Sequence, residues 1–201
     1  MRIVLALGGN ALLPRGATPD TAIQVAKVRL AVEALRPLAL AHELVLTHGN
    51  GPQVGLLAAA TAGSDLPANV YPLDTLVAQT QGMIGFWITQ ALTDALPDRP
   101  VAGLLTRTLV DPDDPAMSRP TKFVGAVLSE QEAQLLAAER AWTMARDGEY
   151  WRRVVPSPAP RSILEADVVA SLLDRGTIVV CAGGGGLTVV DDSFRRASGF
   201  R

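Results

Sequence analysis

Leu44-Val45-Leu46-Thr47-His48-Gly49-Asn50-Gly51-Pro52-Gln53-Val54-Gly55 joins a short apolar run to a glycine break and then to a segment opened by proline. The run is too short for a helix and reads as a strand over 43–47. Residues 52–62 read as a helix with proline in its first turn. Two further runs end in the same way: Ile3-Val4-Leu5-Ala6-Leu7 meets Gly8-Gly9-Asn10, and Ile178-Val179-Val180-Cys181-Ala182 meets Gly183-Gly184-Gly185-Gly186. Glycine lets the main chain turn sharply and offer its N–H groups with no side chain intervening, which suits anions and phosphates. Three such strand ends point to a small, negatively charged ligand.

Working outward, residues 19–40 carry apolar positions at three- and four-residue steps behind Asp20, so they read as a helix that Pro37 bends or ends. Residues 73–96 form the longest helical stretch, with an apolar girdle wide enough to be buried on two sides. A strand is expected over 101–105 and a loop over 111–120. A helix capped by Ser129 follows, then a hairpin around Asp147-Gly148. Pro156, Pro158 and Pro160 make a stiff connector, and Ile163 to Leu173 read as a helix ending at Gly176. Alternating strands and helices imply an α/β fold, a three-layer sandwich with a mostly parallel sheet covered on both faces and ligands at the strands' carboxyl ends.

The 201 residues are 48% hydrophobic and 19% charged, the profile of a globular chain. The net charge of -2 and the scattered basic residues exclude a nucleic-acid stripe. Cys181 is the sole cysteine, so an intramolecular disulfide and a thiolate-cluster metal site are excluded and a reducing, cytoplasmic setting is expected. No apolar run approaches membrane-spanning length. Neither the dinucleotide fingerprint nor the P-loop is present, which argues against a dehydrogenase or a P-loop enzyme.

Among individual candidates, His48 is either a base or a hydrogen-bonded structural residue, and the structural reading is preferred because His42 is the only other histidine. Asn10 and Asn50 either donate to an anion or hold left-handed turns; their place inside the glycine breaks favours the first. The chain has two lysines against sixteen arginines. Of these, Lys122 either follows a transferring phosphoryl group as a compact ammonium or is a solvated surface residue. Trp142, Tyr150 and Trp151 are read as cross-strand packing rather than base stacking.

Ala6 to Leu12, Thr47 to Gly55, and Ala78-Gln79-Thr80-Gln81-Gly82-Met83-Ile84-Gly85 resemble carbamate kinase, within the amino-acid kinase superfamily. Pro120-Thr121-Lys122, Trp151 to Pro160 and Cys181 to Gly186 continue the match in order, over about residues 1–190. The resemblance implies reversible phosphoryl transfer from ATP to carbamate, giving ADP and carbamoyl phosphate, with Mg2+ accompanying the nucleotide and no protein metal site. It implies a role in arginine metabolism and a homodimer. Catalytic roles fall on Lys122, Gly9 and Asn10, and substrate-binding roles on Gly8, Gly49, Asn50, Gly51, Gly184 and Gly185. Residues 1–190 would form the carbamate-binding lobe, with about 111–155 inserted as a small protruding subdomain that carries Lys122.

Members of that family are roughly half again as long, and their C-terminal half holds the nucleotide together with further lysines. This sequence has no lysine after Lys122. The expectation is therefore a truncated kinase with an atypical tail over 191–201, the C-terminal nucleotide-binding half absent, and negligible turnover by itself. Two other readings stay open: a non-catalytic anion-binding or dimerising remnant, and another amino-acid kinase with a different acceptor.

Overall fold

The computed structural model describes residues 1–13, 20–62 and 71–190. In chain order its elements are β1 (Arg2–Leu7), α1 (Gly9–Leu12), α2 (Thr21–Ala41), β2 (Glu43–His48), α3 (Gly51–Ala62) and α4 (Leu73–Ala95). There follow β3 (Val101–Gly103), β4 (Arg107–Val110), α5 (Pro115–Ser118), β5 (Lys122–Leu128), α6 (Glu130–Arg140) and β6 (Met144–Asp147). Last come β7 (Tyr150–Val155), β8 (Pro160–Ile163), α7 (Ala166–Asp174), β9 (Ile178–Val180), a 3-10 turn at Gly183–Gly185 and β10 (Leu187–Val189). The tail read over 191–201 lies outside the described residues.

The chain divides into two compact units, the first made of Met1–Asn50, Val77–Thr108 and Ser162–Leu187, the second of Gly51–Leu76, Leu109–Arg161 and the residues from Thr188. In the first, a four-stranded sheet runs in the order β1-β2-β9-β3 with every pairing parallel. One face buries Leu7, Leu44, Leu46, Ile178 and Val180 against Val28 and Val32 of α2 and Ile84, Ile88 and Leu92 of α4. Each such side chain contributes about 1.5–3 kcal/mol when fully buried. The other face buries Val45 and Val179 against Val169, Leu172 and Leu173 of α7. The expected α/β architecture with a mostly parallel sheet is present, and in this unit helices cover both faces.

Several expectations change in detail. Strand β1 is not enclosed on both faces: Ile3, Leu5 and Leu7 point into the core, but Val4 is 69% exposed, because the apolar side chains of the nine-residue α7 cover β2 and β9 and the helix meets β1 through the Asp174–Arg2 ion pair. The girdle of α4 is likewise open, with Phe86 62% exposed. Pro37 does not end α2, which continues to Ala41 and closes with the His42 N–H on the Leu38 carbonyl. Proline removes one ladder bond near the helix end, and the bonds on either side carry the last turn. Asp20 caps this helix as expected, accepting from the Ala22 and Ile23 amides. Ile163 belongs to β8 rather than to a helix, and the 111–120 loop contains the single turn α5.

In the second unit an antiparallel sheet runs β5-β7-β6. The hairpin forms, but Asp147 pairs directly with Tyr150, so the two central residues are Gly148 and Glu149. Gly148 takes the positive φ of 67° that its place requires. Ser129 and Glu132 complete a reciprocal capping box at the start of α6, and the Ser129 hydroxyl and N–H, both donating to the Glu132 carboxylate, hold it below its usual range. Helix α3 lies on β5 at a glycine pair: a Cβ on Gly55 would come within 3.1 Å of the Gly125 Cα. Strand β5 was not legible in the sequence, because its register shifts between Val124 and Leu128 and breaks the alternation that marks a strand.

Candidate functional site

Strands β1, β2 and β9 are parallel neighbours, so their carboxyl ends lie side by side and the three glycine breaks meet there. The Gly49 N–H donates to the Leu7 carbonyl at 2.9 Å. A Cβ on Gly49 would sit 2.6 Å from the Gly9 nitrogen, so the first two breaks touch main chain to main chain. The third break folds over the second. A Cβ on Gly183 would fall 2.5 Å from Cε1 and Nε2 of His48, and one on Gly184 would overlap the Asn50 amide. Gly186 is pressed in the same way against the Thr108 hydroxyl.

Glycine therefore does two jobs at this edge. At Gly49, Gly183, Gly184 and Gly186 it permits loop to pack on loop. At Gly8 and Gly185 nothing lies within 4 Å of the place a Cβ would occupy, so the main chain there borders open space. The loop itself is left-handed over several residues, with φ of 51° at Ala182, 65° at Gly184, 91° at Gly185 and 87° at Gly186. Successive turns of this sort gather N–H groups toward a concavity that favours anions.

A polar belt that the sequence reading did not single out holds the loop in place. Thr106 accepts from the Ala182 amide at 2.8 Å and is itself fixed by Gln81, whose Oε1 accepts from the Thr106 N–H at 3.1 Å. The Thr108 hydroxyl donates to the Gly185 carbonyl at 2.7 Å, and the Thr47 hydroxyl to the Ala182 carbonyl at 3.1 Å. Gln81, Thr106 and Thr108 are buried. Thr106 and Thr108, on either side of Arg107, carry no sequence signal for such a role; their burial reveals it.

His48 is buried, with Nδ1 donating to the Gly49 carbonyl at 3.0 Å. Burial pulls its pKa below 6.5, partly opposed by that hydrogen bond, so the ring is neutral at pH 7. Asn50 is also buried, and its amide donates to the Thr80 hydroxyl at 2.9 Å, which orients it under Gly184. The Cys181 thiol is pushed up by burial and is not a thiolate.

Of the expected site residues, the first unit thus gathers Gly8, Gly9, Gly49, Asn50, Gly184 and Gly185. Asn10 lies in α1, and its side chain is outside the described residues. Gly51 opens α3 and Lys122 opens β5, both in the second unit, where Lys122 is exposed and stands opposite Val155. Among the described residues no group of three His, Cys, Asp or Glu could hold a metal ion. No helix among them is long and apolar enough to cross a membrane.

Comparison with known proteins places this geometry. The chain is 49% identical over 188 residues to carbamate kinase of Rhizobium meliloti, covering 93% of this chain and 58% of the relative. It is 48% identical over 190 residues to carbamate kinase of Escherichia coli K12, covering 94% and 64%. It therefore spans about three-fifths of the length of the curated relatives it matches. Among solved structures, carbamate kinase from Giardia lamblia bound to AMP-PNP superposes with a TM-score of 0.80 at 36% identity, over 96% of this chain and 67% of that one. A crystal structure of an Aeropyrum pernix K1 protein gives 0.87 at 36%, over 95% and 63%. The profile of the amino acid kinase family matches residues 1–198, from the first strand through all three glycine breaks, and the chain belongs to that family.

Proposed function

We propose that these residues form the carbamate-binding part of a carbamate kinase-type phosphotransferase, which interconverts ATP and carbamate with ADP and carbamoyl phosphate. The meeting of Gly8-Gly9, Gly49-Asn50 and Gly183–Gly186 at one sheet edge carries this reading, and the identity to carbamate kinases supports it. In this reading residues 1–190 are the acceptor lobe, and about 111–155 are an inserted subdomain that brings Lys122. The donors at the glycine breaks are main-chain N–H groups and an amide; the Gly49 and Gly185 N–H groups are bonded to the Leu7 and Ala182 carbonyls and the Asn50 amide to Thr80, and the donors that remain suit carbamate and phosphoryl oxygens and not a cation. Magnesium would accompany the nucleotide phosphates. Gly8, Gly9, Asn10, Gly49, Asn50 and Gly51 would hold carbamate and the transferring group in line, with Gly184 and Gly185 closing on the same oxygens. Lys122 would offset the charge that builds on the phosphoryl oxygens. No covalent nucleophile is required, because phosphoryl transfer is governed by positioning and charge stabilisation. A homodimer in the cytoplasm, working in arginine metabolism, belongs to the same proposal.

The test has two readouts: calorimetric binding of carbamoyl phosphate, and ATP formation from ADP and carbamoyl phosphate. Binding that weakens in Gly8→Ala supports the anion site. Turnover that falls in Lys122→Met by about a hundredfold or more supports the charge role. Binding without turnover would accord with the negligible turnover expected of these 201 residues by themselves and favour the anion-binding reading. Absence of both would remove the proposal.

A further inference from the structure

A cavity of about 210 Å³ lies within the second unit and is unused by the proposed reaction. Its walls are Val54 and Ala58 of α3, Leu73, Val124 of β5 and Leu136 of α6, with Trp142 and Arg153 also lining it. A 150 Å³ apolar cavity is large enough to take up benzene. The wall is therefore of a size and kind to hold a small ring or a short alkyl chain.

The two adjacent arginines of β7 are treated differently. Arg152 donates to the Asp147 carboxylate and to the Gly125 carbonyl, each at 3.0 Å. Arg153 points to the other side of the strand, where it is half-buried and stacks on Trp142 with its guanidinium carbon 4.3 Å from the ring centre. Among the described residues no carboxylate or hydrogen-bond acceptor meets its five N–H donors. Burial pulls its pKa down and no acid opposes the effect. Arg140 lies 5.6 Å from the same Trp142 ring and adds to the positive potential. A half-buried guanidinium beside an apolar wall favours an anion that reaches it. Small-molecule sites have this composition, apolar walls with one or two polar groups that fix orientation.

We propose that this cavity binds a small amphipathic carboxylate, its apolar body lodged between α3 and β5 and its carboxylate paired with Arg153 above Trp142. The pair is a bidentate guanidinium–carboxylate contact of the kind that discriminates strongly against neutral isosteres.

Benzoate and the neutral benzyl alcohol are the probes, titrated into the 201-residue chain while tryptophan fluorescence is followed. Benzoate should bind saturably and about tenfold or more tightly than benzyl alcohol. Arg153→Met should remove that preference. Ala58→Phe, which fills the cavity from α3 and leaves Arg153 in place, should abolish benzoate binding with an unchanged far-UV circular dichroism spectrum. Should Arg153→Met fail to fold, the benzoate and benzyl alcohol pair and Ala58→Phe decide between them. Equal affinity for the two probes, no saturable binding, or benzoate binding that survives Ala58→Phe would each overturn the proposal.

Discussion

A Cβ placed on Gly49 would lie 2.6 Å from the Gly9 nitrogen, so the loops that follow β1 and β2 touch through their main chains at a point where any side chain is excluded. Gly8, one residue before Gly9, has open space where a Cβ would stand, and its φ of -61° and ψ of 145° are accessible to alanine. Gly49→Ala should destabilise by about 1–3 kcal/mol, the usual cost of overpacking. Gly8→Ala should change stability by less than about 1 kcal/mol. Urea unfolding of the two variants compares them directly. A Gly49→Ala midpoint equal to that of the parent chain would show that the loops can part freely.

Thr106 joins the glycine loop to α4 by accepting from the Ala182 amide while Gln81 holds its own main chain. Thr106→Val keeps the shape and leaves that amide without its acceptor, at a cost of about 1–3 kcal/mol. Thr106→Ser should recover most of the loss. Amide exchange at Gly184 and Gly185 should quicken in the valine variant and return toward the parent rate in the serine variant. Exchange that ignores both substitutions would mean the loop is held by its own turns.

His48 gives a pH dependence with a definite sign. Its folded pKa lies below the ordinary 6.5, since burial disfavours the imidazolium, so the unfolded chain takes up the proton first. The stabilisation is complete above 6.5 and is lost as pH falls below it toward the folded value. Urea midpoints measured at about pH 7.5 and 5.5 should therefore decline in the parent chain and decline less in His48→Gln. An equal slope in both would assign the dependence to other groups.

Much of the local structure was legible because it rests on interactions a few residues long. Asp20 caps α2 and Ser129 caps α6 through bonds to amides two or three positions on. Gly148 turns the hairpin because it alone of the neighbouring residues takes positive φ cheaply, although the pairing of Asp147 with Tyr150 moved the turn by one residue. Where sequence reasoning failed, distant contacts decided. The exposed face of β1 follows from the short reach of α7. Strand β8 takes residues that the proline pattern read as a connector and a helix start.

The residues themselves determined that three apolar runs end in glycine, that helices alternate with strands, and that the ligand side of the molecule would be rich in main-chain donors. Only the tertiary structure decided which breaks meet. β9 enters the sheet between β2 and β3, more than a hundred residues beyond β2 in the chain, and that order sets Gly183 on His48 and Gly184 on Asn50. It also gives Thr106, Thr108 and Gln81 their buried tasks beneath the loop. Strand order is chosen by burial of whole faces, a property of the assembled sheet, whereas turns, caps and periodicity are properties of a few neighbouring residues.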